Sequence, residues 1–281
     1  MLDAISAEAL KFRRHRATWG LVWSWPIGVA LILTLAIAIQ VAKGEVGRVE
    51  SLASWIDDAA DFWNIPLDPL GRYLSGAFVA VVFAGEYGWN TWKLIVPHRA
   101  RHSLIAAKYV VAIALLICGF TLGAAMFNLL NWLKDLATGT PIPAGITAGA
   151  LLKAHGTAAL AALAPMLLTT AYVSLAAILT RSTVAALVIG LVVTTLEQLF
   201  RVYAPVFETF APGLIGGLYQ ILPGYHLANL GQWIAEGRAL TVPFPSGPFS
   251  MAPLASLAIV AAWTIGLVAL TFRAFRRQDI N

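Results

Sequence analysis

A chain of 281 residues with 59% hydrophobic and 12% charged residues, and a mean hydropathy of +0.76, is too apolar for a water-soluble domain, in which about a quarter of residues are charged. The simplest class is a single polytopic membrane domain. The net charge of +5 follows from topology, as shown below, and argues nothing for nucleic acid.

Residues 1–17 predict an amphipathic helix lying on the membrane. Leu2, Ile5, Ala9 and Phe12 share one face, and Lys11, Arg13, Arg14 and Arg16 are placed to reach lipid phosphates. Trp19, Trp23 and Trp25 mark the interface where the chain turns inward, with Pro26 in the first turns of the span. No small-residue cleavage site follows a short apolar core, so the segment does not read as a cleavable signal peptide.

Six apolar runs follow, at 18–41, 69–88, 104–129, 157–180, 183–202 and 252–272, each near the ~20 residues a bilayer requires. Arg72 and Lys153 intrude at the outer ends of the second and fourth runs. The runs are continuously apolar rather than alternating, which predicts helices and not a closed barrel. The expected fold is an all-α integral membrane protein of six transmembrane helices. The short link Thr180-Arg181-Ser182 makes the fourth and fifth an antiparallel hairpin. Cys118, the single cysteine, excludes an intrachain disulfide and reads as a small core residue.

Two connections carry features of their own. The 43–68 loop is acidic, and its Leu52, Trp55, Ile56, Ala59 and Phe62 suit one face of a short surface helix, with Trp63 beside them. Its Asp57, Asp58 and Asp61 lack the spacing and glycine of a calcium loop, so they read as a solvated face. The 203–251 segment is too apolar for a free loop, and Pro205, Pro212, Pro223 and three glycines break it. Short helices dipping partway into the outer leaflet fit that pattern.

Orientation follows from the basic residues, which stay in the cytosol. The side holding the N-terminus, the 88–104 loop, the Arg181 turn and the C-terminus carries 12 of the 19 basic residues and 4 acidic ones. The other side carries 7 basic and 10 acidic residues, so the split is +8 against −3. Both termini are therefore expected in the cytosol.

Catalytic signatures are absent from the sequence: there is no His-Glu-x-x-His, no Gly-x-Ser-x-Gly, no metal-spaced Cys/His cluster and no phosphate-binding Gly-x-x-x-x-Gly-Lys-Ser/Thr loop. His15, His98 and His102 read as interfacial polar residues, and His155 and His226 lack a second ligand nearby. No metal site is expected. Within the spans, Glu197 and Arg201 lie four residues apart on one helical face and can pair. Glu86 ends the second span and Lys108 lies one turn into the third, so antiparallel packing brings them to similar depth. Between them, Pro97 separates an aromatic half (Trp89 to Val96) from a basic half (His98 to His102).

The run Glu86-Tyr-Gly-Trp-Asn-Thr-Trp-Lys-Leu-Ile-Val-Pro-His-Arg-Ala-Arg-His-Ser-Leu-Ile-Ala-Ala-Lys108 resembles the signature of type-2 ABC exporter permeases. Glu86, Thr91, Lys93, Pro97, Arg99 and Lys108 match it, while Asn90 replaces the usual glycine and His98 a small residue. The opening Ala7-Glu8-Ala9-Leu10-Lys11-Phe12-Arg13 resembles the family's elbow helix, Ile221-Leu222-Pro223 its outer-leaflet segment, and Phe275-Arg276-Arg277-Gln278-Asp279 its C-terminal end. The resemblance implies a single permease domain over 1–281, with an elbow helix at 1–17, a cytosolic coupling segment at 86–103 and a partly inserted extracytoplasmic segment at 203–251. It implies a bacterial cytoplasmic membrane, a second permease copy as homodimer or paralogue, and a cytosolic ABC ATPase subunit. ATP and magnesium would bind that partner, with no cofactor on this chain. Glu86, Thr91, Lys93, Pro97, Arg99, Arg101 and Lys108 would transmit its movement rather than catalyse. The expected function is ATP-driven export or extrusion of an amphipathic, peptide or lipid-like substrate. A proton- or ion-coupled secondary carrier and a non-transporting assembly or immunity factor are the alternatives. The carrier is weakened by the single carboxylate in the span interiors and by the lack of inverted repeats.

Overall fold

The computed structural model describes residues 1–279. An N-terminal helix α1 (Leu2–Arg13) leads into the short α2 (Arg16–Leu21) and the apolar α3 (Ser24–Lys43). The single span expected over 18–41 is thus broken at Val22 and Trp23. Val22 is buried against Gly119, where an added Cβ would come within 2.7 Å of its side chain. Pro26 sits in the first turn of α3, where a missing amide removes no helical bond.

The acidic connection forms the expected short helix, with one face exposed and the other packed on the bundle. Helix α4 (Leu52–Ala59) and the 3-10 turn Asp61–Leu67 fold inward, burying Trp55, Ala59, Phe62 and Trp63. The indole Nε1 of Trp55 donates to the Asp135 carboxylate at 3.0 Å. Asp57, Asp58 and Asp61 stay exposed, as a solvated face requires. Helix α5 (Pro69–Gly88) then leaves the 3-10 turn at an angle of 65°. Gly71 permits that bend, because a Cβ there would lie 1.9 Å from the Ile65 carbonyl oxygen.

A short α6 (Trp92–Ile95) and a 3-10 turn (Val96–His98) lead to α7 (Arg101–Thr138). Its 38 residues extend about 57 Å at ~1.5 Å per residue, well beyond the ~30 Å hydrocarbon core. Helix α8 (Ala148–Thr180), capped by the Thr147 hydroxyl, pairs antiparallel with α9 (Thr183–Glu208), capped by the Ser182 hydroxyl. Arg181 makes the tight turn between them at φ +57. The apolar segment that follows holds α10 (Pro212–Ile221), α11 (Pro223–Glu236) and a hairpin of β1 (Thr241–Phe244) with β2 (Gly247–Ser250), before α12 (Pro253–Arg277). The short helices match expectation; the hairpin departs from an all-α chain. Tyr219, Tyr225, Phe244 and Phe249 hold it in one aromatic cluster, with centroids 4.9 Å apart for Tyr219–Phe244 and Tyr225–Phe249.

Helices α5 and α8 form the centre, and α3, α9 and α12 lie largely outside them. Ile27, Leu31 and Leu35 of α3 are exposed, as is Cys118 of α7. The thiol is therefore not a core residue but part of an outward apolar face. Five helices are long and apolar enough to cross a membrane, and six if the bent 3-10 turn and α5 form one span.

Candidate functional site at the basic end of the bundle

Helix α1, the C-terminal end of α12, the 89–100 link and the Arg181 turn gather at one end of the bundle. Arg99 Nη2 lies 3.1 Å from the Asp3 carboxylate. The Gln278 side-chain amide donates to the Ile178 carbonyl near the α8–α9 turn.

A four-residue ion cluster sits at the centre of this end. Lys108, 2% exposed, donates to Glu8 at 2.7 Å, to Glu86 at 3.0 Å and to the Val82 carbonyl at 2.8 Å. All three ammonium hydrogens are thereby used. Glu86 Oε1 also accepts from Lys11 at 2.6 Å, and its Oε2 accepts from the Thr91 hydroxyl at 3.0 Å. Two carboxylates face two ammoniums, so the cluster is neutral and its buried members are paired, as burial of charge demands. Burial pushes the Lys11 ammonium below its ordinary value, and the Lys108 charge adds to that, against the pull of Glu8 and Glu86.

The cluster ties three elements that are remote in sequence: α1 through Glu8 and Lys11, α5 through Glu86, and α7 through Lys108. It also fixes α6. The Thr91 amide donates to the Glu86 carbonyl at 3.0 Å, and Trp92 is buried with its ring 4.6 Å from that of Phe275. The Lys108 ammonium lies 5.2 Å from the Trp92 ring centroid. Asn90 turns the chain from α5 into α6 at φ +57, a left-handed conformation that a short polar side chain tolerates. Asparagine can therefore stand where glycine is usual without changing the turn.

Glu86, Thr91 and Lys108 are thus brought together, whereas Lys93, Pro97, His98 and Arg99 face outward. Trp89 and Leu94 join them on that surface, 63% and 72% exposed. Arg101 is engaged within the chain. Its Nη1 donates to the carbonyls of Phe275, Arg276 and Gln278 at 3.1, 2.9 and 2.6 Å. A cation among the last carbonyls of α12 satisfies groups the helix leaves open.

Helix α1 also differs from expectation. Leu2 and Ala9 are exposed, while Ile5, Glu8, Lys11 and Phe12 turn inward. Lys11 therefore points into the ion cluster rather than toward lipid phosphate. The spacing of Glu8, Lys11 and Phe12, which puts them on one helical face, is the signal that could have revealed this. His15 acts locally, its Nδ1 accepting from the Ala17 amide at 3.1 Å.

At the opposite end, the expected Glu197–Arg201 pair does not form. Glu197 instead accepts from Arg72 Nη1 at 2.6 Å and from the Tyr172 hydroxyl at 2.9 Å. Arg72, which seemed to intrude on a span, is the buried partner of this carboxylate. A cation on a facing helix reaches it more directly than one on the next turn of its own. His226 is likewise structural: its Nε2 bonds the Gln220 carbonyl and its Nδ1 the Ser256 hydroxyl, both at 2.9 Å.

The sequence model of a family described as ABC-2 family transporter protein matches residues 4–197. The match spans α1 to most of α9 and so contains the whole ion cluster. No curated protein and no solved structure matches the chain. With a family match over most of its length, at least five membrane-length helices and an ion-paired end that gathers α1, α6 and α7, the chain belongs to the ABC-2 transporter family, as a membrane permease of an ABC transporter.

Proposed function

We propose that this permease is the membrane subunit of an ATP-driven exporter, in which a separate cytosolic ATPase moves the spans by pressing on the basic end. The observation that carries this reading is the joint attachment of α1 and α6 to the Glu8–Lys11–Glu86–Lys108 cluster. Outside that anchor lies a surface made of Trp89, Lys93, Leu94, Pro97, His98 and Arg99. An exposed apolar side chain ringed by cations is the chemistry of a protein contact. A load on α6 would pass through Thr91 and Trp92 to Glu86 and Lys108, and so to the ends of α5 and α7 together. By the same reading α1 is the elbow helix, α6 lies in the coupling segment and both termini are cytosolic, with the positive end inside.

Hydrolysis takes place on the partner, which binds the nucleotide and magnesium; this chain transmits. A second permease copy or a paralogue completes the assembly in a bacterial cytoplasmic membrane. The apolar spans and the 203–251 segment favour an amphipathic, peptide or lipid-like substrate moving outward.

Gentle-detergent purification with identification of co-purifying chains tests the assembly. Recovery of a nucleotide-binding ATPase is the expected result, and recovery of the permease alone would contradict the reading. Flux that persists when ATP is depleted and the proton gradient is intact would move the chain to the carriers.

A further inference from the structure

At the end of the bundle away from the ion cluster, a cavity of about 800 Å³ lies among the 3-10 turn Asp61–Leu67, α5, α8, α9 and α11. That volume falls in the ~300–1,000 Å³ range of pockets that hold drug-sized molecules. Gly224 lets α11 close one side of it, since a Cβ there would come within 2.8 Å of the Glu197 carbonyl oxygen.

The deep wall carries Arg72, which is 3% exposed. Its Nε donates to the Thr169 hydroxyl at 2.9 Å and its Nη1 to Glu197 at 2.6 Å, but Nη2 has no partner. A buried guanidinium nitrogen without an acceptor is costly and uncommon in folded proteins. Glu197 bonds Arg72 through Nη1 and also accepts from the Tyr172 hydroxyl, but it makes no bond to Nη2. Arg201 and Lys153 line the same cavity, and neither is ion-paired among the described residues.

The exposed part of the lining is mainly acidic, with Lys153 exposed beside it. Its carboxylates are Asp57, Asp61 and Asp68. Arg201 adds one uncompensated cation beside the paired Arg72 and Glu197, while three aspartates and Lys153 make up the exposed charged lining, a mixture that disfavours a multiply charged anion and favours a molecule with one charge of each sign. Exposed carboxylates in the lining favour a soluble ligand over an anionic lipid headgroup. The uncharged lining includes seven alanines and Pro165. Pro165 removes the amide that would have paired with the Ala161 carbonyl, leaving a backbone acceptor in the wall.

We propose that this cavity binds a small zwitterion with the chemistry of a short peptide. Nη2 of Arg72 is closed off from solvent, so the guanidinium turns to donate to the ligand carboxylate beside Arg201, and the ligand ammonium sits at Asp57 and Asp61. The site belongs to the permease alone and stands whether or not an ATPase drives the chain.

Calorimetric titration of the detergent-solubilised full chain tests the assignment, with trialanine, N-acetyl-trialanine, trialanine amide and glycerophosphoethanolamine as probes. Trialanine is expected to bind, and each blocked peptide to bind at least ~10-fold more weakly, the scale of one charge-assisted contact. Arg72→Gln with Glu197→Gln, which keeps a neutral hydrogen-bonding pair, is expected to lose trialanine binding with the thermal transition retained. Asp57→Asn with Asp61→Asn changes exposed side chains only, so it decides the matter if the buried variant fails to fold. It should lower trialanine affinity to that of N-acetyl-trialanine and leave the latter unchanged. The proposal is overturned by no trialanine binding up to ~10 mM, weaker than a specific site of this size. Equal affinity for the blocked peptides, or wild-type affinity in either folded variant, overturns it as well. Tighter binding of glycerophosphoethanolamine than of trialanine would give the site to a lipid headgroup instead.

Discussion

Lys11 and Glu86 meet at 2.6 Å although 75 residues of chain separate them. Their contact ties the N-terminal helix to the bundle. Removing Glu86 would leave two ammoniums facing the single carboxylate of Glu8. Breaking a buried pair from one side costs about 3–5 kcal/mol, so Glu86→Gln is expected to lower the melting temperature sharply and expose α1 to protease. Lys11→Met with Glu86→Gln keeps Lys108 opposite Glu8, and its cost should be smaller than that of Glu86→Gln alone. Thermal unfolding in detergent compares the two, and equal costs would show that the four charges do not act as one cluster.

The two arginines of the basic half should separate cleanly. Arg99 pairs with Asp3 at the surface, where such pairs contribute about 0–1 kcal/mol. Arg101 holds three carbonyls at the end of α12. Arg101→Ala should therefore speed amide exchange over residues 273–279, whereas Arg99→Ala should leave that exchange as it is. Equal exchange in both variants would remove the capping role from Arg101.

Asn90 holds the α5–α6 turn at φ +57. Asn90→Gly should leave stability within a few tenths of a kcal/mol, since glycine takes this conformation freely. Asn90→Val places a branched side chain there and should cost about 1–2 kcal/mol. Differential scanning fluorimetry of the two variants reads the contrast, which vanishes if the turn is not left-handed in solution.

His226 is fully buried, and burial pushes its imidazole below the ordinary value of 6.5. Since the Gln220 carbonyl can only accept, Nε2 carries the proton and Nδ1 accepts from Ser256. Both partners of the ring, Ser256 and the Gln220 carbonyl, are uncharged. The folded state thus favours the neutral ring. The stability it contributes is full above 6.5 and is lost as pH falls below that value toward the folded pKa. Between about pH 7 and 5 the wild type should lose melting temperature more steeply than His226→Gln, whose amide can make both bonds without titrating. Parallel slopes would place the acid sensitivity elsewhere.

The sequence carried the spans because a bilayer sets their length and composition, and it carried Glu86 with Lys108 because antiparallel neighbours bring equal depths together. It did not carry Arg72 with Glu197. Local spacing sees Arg201, four residues away, but it does not see a cation 125 residues distant on a facing helix. Lys11 misled for a related reason. Its place beside Phe12 on α1 is compatible with either lipid phosphate or the bundle, and only the carboxylate of Glu86 decides. Leu94 was passed over because one exposed leucine in an apolar chain has no pattern to distinguish it. The hairpin was hidden by prolines at positions 243 and 248, which argue against strand unless, as here, the two strands pair only with each other.

The central claim, that the α6 surface receives the ATPase, is tested most directly by ATP turnover in the reconstituted complex carrying Leu94→Asp with Lys93→Glu. Both side chains are exposed and outside the ion cluster, so insertion and thermal stability should match the wild type. Permease-stimulated turnover falling to that of the isolated ATPase is the result predicted here, a drop of at least ~10-fold for loss of an interface anchor. Unchanged stimulation by a folded variant would contradict it.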